Sequence, residues 1–192
     1  MVNWQEWIHV EAPRILKKCG IRPGDMVIDF GSGIGDYTIP TAFLITNGNQ
    51  KGKIIAIDDD KNNVNKLRKR AQKYKISEVI TNILNEKGII INVAPEIADA
   101  VLIFDVLHYF TKNERAQLYS EIYRVLVSNG LFITFPNHHK NSYPLWELAN
   151  MTLNDIIDEI EALHFQLNHT WKGKLIHDHA WYTGTILSFR KK

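Results

Sequence analysis

The sequence predicts an α/β protein, a three-layer sandwich built around a mostly parallel sheet. Short apolar runs of strand length alternate with longer segments that carry apolar residues at helical spacing. Strands that alternate with helices pair in parallel through right-handed crossovers, which place helices on both faces of the sheet. A glycine-rich loop at residues 31–35, between the first strand and the next helix, is typical of the ligand-binding edge of such a sheet.

The first half of the chain contains two strand-helix units behind a helical start. Apolar residues recur at helical spacing over residues 4–18, where Pro13 is expected to bend or split the helix. The elements predicted next are a strand at residues 26–30, a helix at 37–46, a strand at 53–57 and a basic helix at 61–74. Val64, Leu67 and Ala71 fall on one face of the basic helix, which predicts the face that it buries.

The second half of the chain continues the alternation of strands and helices and then ends in two extended segments. Residues 88–91 are ambiguous between a strand and a buried connection. The other predicted elements are strands at 79–84 and 100–104, a helix at 112–127, a turn at 128–130, a strand at 131–135 and a helix at 152–163. Two extended segments at 165–171 and 181–189 have no helical period between them, so we expect a terminal antiparallel pair.

Length and composition indicate one folded domain. A chain of 192 residues with 45% hydrophobic and 23% charged residues has the makeup of an ordinary globular protein. We therefore expect a single domain over residues 1–192, with a helical segment at residues 1–25 that packs on the site or covers it. The single Cys19 excludes an internal disulfide and suits a reducing compartment.

Charge and targeting patterns give no sign of a membrane or nucleic-acid partner. With 23 basic and 21 acidic residues the net charge is only +2. The start of the chain lacks a basic region followed by an apolar stretch, and no run of about 18 apolar residues occurs. We expect a cytoplasmic protein with no membrane partner, and nucleic acid is disfavoured. The oligomeric state is not indicated.

The glycine loop and an acidic companion predict a nucleoside ligand. Glycines stand at every second residue, at 31, 33 and 35, and Asp36 occupies the place where a dinucleotide motif has its last glycine. Asp29, before the loop, suits a cationic ligand better than a pyrophosphate. Asp58 ends the next strand, where a carboxylate can accept both hydroxyls of a ribose. Alternatively, the carboxylates of residues 58–60 only cap the following helix.

Four segments resemble class I S-adenosylmethionine-dependent methyltransferases. Residues 24–35 (GDMVIDFGSGIG) resemble motif I, and residues 54–58 (IIAID) resemble the second motif. Residues 104–110 (FDVLHYF) resemble the segment after the fourth strand, and residues 125–131 (VLVSNGL) resemble the turn into the fifth strand. The segment at 104–110 is similar to the small-molecule methyltransferases of ubiquinone and menaquinone biosynthesis.

The resemblance implies a Rossmann-like fold with a seven-stranded sheet whose last strand is antiparallel, and it implies S-adenosylmethionine as cofactor. It implies glycine-loop contacts to the methionine part of the cofactor and an acidic ribose clamp, which fall on Gly31, Gly33 and Asp58. Adenine contacts are placed at Asn85 or Glu86, although the acidic residue often found there has no clear counterpart. The full set of candidate cofactor-binding residues is Asp29, Gly31, Ser32, Gly33, Gly35, Tyr37, Asp58, Asp59, Asn85, Glu86 and Asp105.

Asp105 and His108, just past the fourth strand, are the candidate catalytic residues. Either side chain can orient an acceptor or remove its proton. The alternative is that Asp105 caps the next segment while His108 packs and bonds a backbone carbonyl. Asp105 stands where amino-group methyltransferases carry an Asn-Pro-Pro-Tyr-like tetrapeptide, which residues 105–108 do not match.

Histidines and aromatic residues give weaker indications. A metal site is conceivable at His138 and His139 or at residues 177–179 (HDH), but ordinary packing is favoured and we predict no metal. Tyr37 can cover the methionine part of the cofactor. An aromatic lid over a flat acceptor can form from Trp4, Trp7, Tyr109 and Trp146, although core or surface packing is the favoured role of each.

The function predicted is therefore transfer of a methyl group from S-adenosylmethionine to a small metabolite. A first alternative is a catalytically silent S-adenosylmethionine-binding partner or regulator, because the sequence contains no indispensable catalytic side chain. An RNA or protein methyltransferase and a nucleotide-dependent oxidoreductase are the remaining alternatives, and the glycine spacing weakens the last.

Overall fold

A computed structural model describes residues 2–48, 50–86, 88–177 and 180–192. The strands are β1 (Met26–Phe30), β2 (Lys53–Asp58), β3 (Ile80–Leu84), β4 (Ala98–Phe104), β5 (Leu126–Phe135), β6 (Phe165–His177) and β7 (Ala180–Lys191). The helices are α1 (Trp4–Glu6), α2 (Ala12–Lys18), α3 (Thr38–Ile45), α4 (Lys61–Lys73), α5 (Lys112–Val125) and α6 (Leu153–Glu161). A π-helical turn, Trp7–Glu11, separates α1 from α2, and 3₁₀ turns occupy Leu107–Tyr109 and Trp146–Leu148.

The strands form a seven-stranded sheet in the order β3-β2-β1-β4-β5-β7-β6. The pairs β1–β2, β2–β3 and β4–β5 are parallel, and β7 is antiparallel to β5. Helices cover this mixed sheet as a Rossmann-like α/β fold requires. The predicted fold class, including the antiparallel last strand, is confirmed.

The chain divides into two compact units, which are described separately. Unit 1 comprises Met1–Gly88 and Lys174–Tyr182, and unit 2 comprises Ile89–Gly173 and Thr183–Lys192. The expectation of a single domain stays a prediction. Along the ranges described, no helix combines the length and apolar character that crossing a bilayer requires.

In unit 1 the core lies between the three parallel strands and their helices. Val64, Leu67 and Ala71 of α4 are buried, as their helical spacing predicts. Asp60 caps the start of α4 by accepting a hydrogen bond from the Asn62 N–H over 2.7 Å. The N-terminal helix is divided by the π-helical turn just ahead of Pro13, a residue that stands within the first turn of α2, where a missing N–H is tolerated.

In unit 2 the core is an aromatic cluster between α5 and the strands. Phe132 packs against Tyr119, Phe165 and Phe189 with ring centroids 5.5–5.9 Å apart. Arg115 of α5, almost fully buried, forms a bidentate ion pair with Glu159 of α6 at 2.7 and 2.8 Å. The same guanidinium donates to the Phe110 carbonyl oxygen over 2.8 Å, which fixes the backbone after the 3₁₀ turn at Leu107–Tyr109.

Several predicted boundaries need correction. The helix predicted at 112–127 ends at Val125, and the segment predicted at 165–171 extends to His177. The strand expected at 131–135 begins earlier, at Leu126, and the predicted turn at 128–130 lies inside β5. Pairing with β4 jumps from Leu126 to Leu131 across Ala98 and Ala100, and Asn129 has φ 63°, so the turn is present as an irregularity in the strand. The ambiguous residues 88–91 form a connection without a strand, with Ile91 buried and Ile90 exposed.

Candidate functional site

The glycine loop, residues 31–36, leads from the carboxyl end of β1 toward α3. Gly31, Gly33 and Gly35 have φ values of 75°, 53° and 90°, a region that favours glycine. A Cβ atom on Gly35 would collide with the Leu67 side chain, so this glycine serves close packing against α4. A Cβ atom on Gly33 would meet nothing within 4 Å, so the backbone at this position borders open space that a ligand can enter.

Asp58, at the carboxyl end of β2, holds the glycine loop in place. The Gly33 N–H donates to Asp58 Oδ2 over 2.7 Å, and Asp58 Oδ1 accepts from the Asp60 N–H and the Asn63 side-chain amide at 3.0 and 3.1 Å. These bonds use three of the roughly four acceptor positions of a carboxylate. The predicted ribose clamp therefore also has a structural role, and Asp59 next to it is exposed.

The first N–H groups of the loop are already bonded within the protein. Those of Gly31 and Ser32 both donate to the Ile57 carbonyl oxygen, at 2.8 and 2.9 Å. Since Ser32 is also buried, these two residues shape the loop beside the carboxyl ends of the paired strands β1 and β2. Their proposed contact with a ligand has to come from atoms other than these donors.

Asp29 carries a buried carboxyl group directly before the loop. Its side chain is 2% exposed, and the Thr38 hydroxyl donates to Oδ2 over 2.5 Å. The pKa of Asp29 is raised to about 7, chiefly by burial; the Thr38 hydrogen bond opposes this rise, and the charges of Asp58 and Asp36 add to it. A cation bound beside this carboxyl group would favour its ionised form.

Arg70 of α4 supports the far end of the loop. Its Nη1 donates to Asp36 Oδ1 over 2.7 Å and to the Ile34 carbonyl oxygen over 2.8 Å. The Trp7 indole N–H donates to the Asp36 carbonyl oxygen over 2.8 Å, and the Trp4 ring lies 5.2 Å from the guanidinium. The sequence predicted Arg70 only as part of a basic helix, because its role depends on how α4 packs against the loop.

Tyr37 fixes the exit of the loop. Its hydroxyl donates to the Ile176 carbonyl oxygen over 2.9 Å and accepts from the Ile176 N–H over 3.3 Å. Its ring meets Trp7 edge-on at 5.4 Å. The hydroxyl is thus bonded to β6, and cover of a ligand by Tyr37 would have to come from the ring.

Asn85 follows β3 next to the acidic residues of β2. Its N–H donates to the Asp58 carbonyl oxygen over 2.9 Å, and its side-chain amide donates to the Gly88 carbonyl oxygen over 2.7 Å. The neighbouring Glu86 is exposed. Asn85 is therefore close to the ribose candidate, and adenine contact by either residue stays a prediction.

In unit 2, Asp105, His108 and His138 form a compact group that we call the histidine cluster. Asp105 follows β4, and its N–H donates to the Phe135 carbonyl oxygen of β5 over 2.9 Å. Asp105 Oδ1 lies 3.7 Å from His108 Nδ1 and 3.5 Å from His138 Nε2. Both imidazoles are buried, with 2% and 4% exposure. The two predicted catalytic residues are thus brought together, with a third residue after β5.

The orientation of His138 is set by its loop. Its Nδ1 lies 3.0 Å from the Tyr143 carbonyl oxygen, which only accepts, so Nδ1 carries a proton, and Nε2 is the ring nitrogen that faces Asp105. The Asn137 side-chain amide lies 3.4 Å from the same Nε2. Asp105 and His138 have φ values of 59° and 67°, a strained region for residues other than glycine.

The remaining histidine candidates are not members of the cluster. Burial lowers the pKa of His139, which is half-buried and accepts a hydrogen bond from the Asn141 N–H over 3.3 Å. His177 lies in unit 1 with its ring 5.6 Å from that of Tyr182. Its predicted companions Asp178 and His179 lie outside the described residues.

The predicted aromatic lid divides between the two units. The ring centroids of Tyr109 and Trp146 lie 4.9 Å apart, and the two residues are 61% and 56% exposed. The Trp146 ring also stacks on the His108 ring, with 5.2 Å between the centroids. We call Tyr109 and Trp146 the aromatic shelf. Trp7 is fully buried in unit 1, so it is a core residue there.

Comparison with known proteins identifies the region that carries the glycine loop. Residues 28–134 match the family described as "Methyltransferase domain". Over 88 residues the chain is 31% identical to a probable cobalt-precorrin-6B C(15)-methyltransferase (decarboxylating) of Saccharolobus solfataricus, covering 46% of this chain and 43% of that protein. The chain thus spans less than half the length of that curated relative.

Two solved structures share the fold. A SAM dependent methyltransferase from Aquifex aeolicus superimposes with a TM-score of 0.77 at 14% identity, over 98% of this chain and 93% of that one. Magnesium protoporphyrin IX methyltransferase from Synechocystis PCC 6803, with bound SAH, superimposes with a TM-score of 0.69 at 18% identity, over 94% and 80%. At these identities the likeness concerns the fold.

Proposed function

The chain belongs to the class I S-adenosylmethionine-dependent methyltransferases, and on that premise we propose that it transfers a methyl group from S-adenosylmethionine to a small metabolite. The observation that carries the proposal is the open space beside Gly33, in a loop whose backbone is held by Asp58. A nucleoside with a cationic sulfonium suits a site that combines a carboxylate at the strand end with the buried Asp29.

The cofactor is assigned to unit 1. We propose contacts from the glycine loop, with Asp29 near the positive charge, Asp58 and Asp59 at the ribose, and Asn85 or Glu86 at the adenine. The helical segment before residue 25 is proposed to cover this site, which the bond from Trp7 to the Asp36 carbonyl supports. When bound, the cofactor supplies a methyl group whose bond to sulfur breaks, leaving the electron pair on sulfur, as the acceptor atom bonds the methyl carbon.

The acceptor is assigned to the histidine cluster and the aromatic shelf of unit 2. Asp105 and His108 orient a hydroxyl or similar group and promote the loss of its proton where attack requires it. The exposed faces of Tyr109 and Trp146 favour a flat acceptor, since aromatic rings stack well with one another. This arrangement, with the segment at 104–110, supports an acceptor of the kind used by ubiquinone and menaquinone methyltransferases.

The first test is calorimetric titration of the full chain with S-adenosylmethionine and S-adenosylhomocysteine. We expect one equivalent of each to bind, and absence of binding by both would refute the proposal. Mass spectrometry of acceptor panels, with hydroxylated aromatic compounds included, then measures methyl transfer. Binding with no transfer to any panel would favour the silent binding partner instead, because that function needs the glycine loop but not the histidine cluster.

A further inference from the structure

The histidine cluster has the composition and spacing of a transition-metal site. One ligand atom from each of Asp105, His108 and His138 lies within 4.8 Å of the others. Two ligands of a tetrahedral zinc ion, each bonded at about 2.0–2.2 Å, lie about 3.4 Å apart. The distances of 3.5 and 3.7 Å from Asp105 Oδ1 to the two imidazole nitrogens need only a slight contraction to reach that value.

The surroundings of His138 match those of a metal ligand. A ligating imidazole generally donates its other N–H to a carbonyl or carboxylate, which fixes the ring and its tautomer. His138 does so through Nδ1 to the Tyr143 carbonyl oxygen, and its Nε2 is the ring nitrogen that faces Asp105. Asp105, which is partly exposed, and His138, which is buried, both keep strained φ values, as is common where side chains are held for a function.

We infer that Asp105, His108 and His138 bind one divalent first-row transition metal ion. Two imidazoles and one carboxylate favour zinc, iron or a similar ion over magnesium and calcium, which prefer oxygen ligands. Three protein ligands leave at least one coordination position open, as in catalytic rather than structural sites.

The open position gives the ion a role that rests on the proposed function. An acceptor oxygen coordinated there loses its proton to water more readily, because the ion lowers the pKa of a bound hydroxyl. The acceptor class is therefore one with a ligating hydroxyl beside a flat ring, since the aromatic shelf adjoins His108. In this arrangement the metal, and not a side-chain base, generates the nucleophile.

The test uses the full chain without a histidine tag, stripped with a chelator and dialysed. Calorimetry with Zn²⁺ and the visible spectrum with Co²⁺ are expected to show one site. His138→Gln and Asp105→Asn should each weaken binding by more than about a hundredfold, beyond the range of about 10–100-fold seen for outer partners. His139→Gln is the matched control, because this neighbouring histidine lies outside the cluster, and its affinity should equal that of the wild type.

The experiments distinguish failure of the metal site from failure of the proposed methyltransferase function. Wild-type protein that binds no Zn²⁺ or Co²⁺ at a single site, or variants of the cluster that bind like the control, would overturn the metal site. Should a variant fail to fold, NMR of the cobalt-loaded wild type still counts the histidine ligands, and two are expected. Titration of the stripped protein with S-adenosylhomocysteine tests the methyltransferase assignment without the metal.

Discussion

At the scale of single residues, the carboxyl group of Asp29 makes the stability of the fold depend on pH. Its carboxyl group is buried, and the pKa of about 7 exceeds the ordinary value of 3.8. A raised pKa means that ionisation opposes folding, so the contribution of Asp29 to stability is complete below about pH 4 and is lost as pH rises through 7.

We therefore expect Asp29→Asn to stabilise the protein increasingly as pH rises. The free energy of unfolding of the variant relative to the wild type should grow by about 2 to 3 kcal/mol between pH 5 and pH 8, as measured by urea denaturation. Asp59→Asn, at an exposed carboxylate nearby, serves as the control. Parallel pH profiles for Asp29→Asn and the wild type would contradict the prediction.

Substitution of Gly33 can distinguish the loss of ligand contact from the cost of backbone strain. Gly33→Ala and Gly48→Ala both place a side chain at positive φ with nothing within 4 Å, so each should lose about 1 to 2 kcal/mol of stability. Only Gly33→Ala should lose affinity for S-adenosylhomocysteine, by at least about tenfold, because the new methyl group occupies the space proposed for the ligand. Thermal melts and calorimetry measure the two effects, and equal affinities would argue against a ligand at Gly33.

The candidate site residues that could be predicted from the sequence are those identified by their immediate neighbours in the chain. The glycine loop and Asp58 are recognisable because each follows an apolar strand within a few residues. Thr38 and Arg70 could not be assigned, since their partners depend on how a helix crosses the loop. His138 carried a usable signal: it follows the fifth strand as Asp105 follows the fourth, and carboxyl ends of neighbouring parallel strands lie at one edge.

At the scale of elements, α4 acts as a brace for the glycine loop. Arg70→Ala removes two hydrogen bonds from a guanidinium that is only partly exposed, so we expect a stability loss of about 1.5 to 3 kcal/mol. Affinity for S-adenosylhomocysteine should fall by about tenfold as the loop loses its support. Arg68→Ala on the exposed face of the same helix should change neither value in the same melts and titrations. An Arg70→Ala protein with unaltered affinity would show that the loop keeps its shape unaided.

Helices and strands were predicted well where apolar residues recur at a single helical or strand spacing. The buried face of α4 follows from Val64, Leu67 and Ala71 at helical spacing. No single periodicity in a sequence marks where one strand begins to pair with another. The start of β5 at Leu126 could not be predicted, because the residues that follow it have the composition of a turn. The length of β6 was underestimated because exposed Lys172 and Lys174 flank Gly173 just after the predicted end at residue 171.

At the scale of the whole molecule, the chain path argues for one cooperative domain. The chain enters unit 2 after Gly88, returns to unit 1 over Lys174–Tyr182 and ends in unit 2. We propose that the protein unfolds in a single transition with equal calorimetric and van't Hoff enthalpies. Scanning calorimetry measures this, and saturating S-adenosylhomocysteine should raise the midpoint of the whole transition. Two resolved transitions, with only one shifted by the ligand, would show that the units are separate domains.

The bond between Tyr37 and Ile176 has a consequence for the order in which the protein is made. These residues are 139 positions apart, and the second belongs to β6. A ribosome therefore completes the glycine loop long before it supplies the backbone group that anchors the residue after it. The nascent chain can form this anchor only after those 139 further residues have been added.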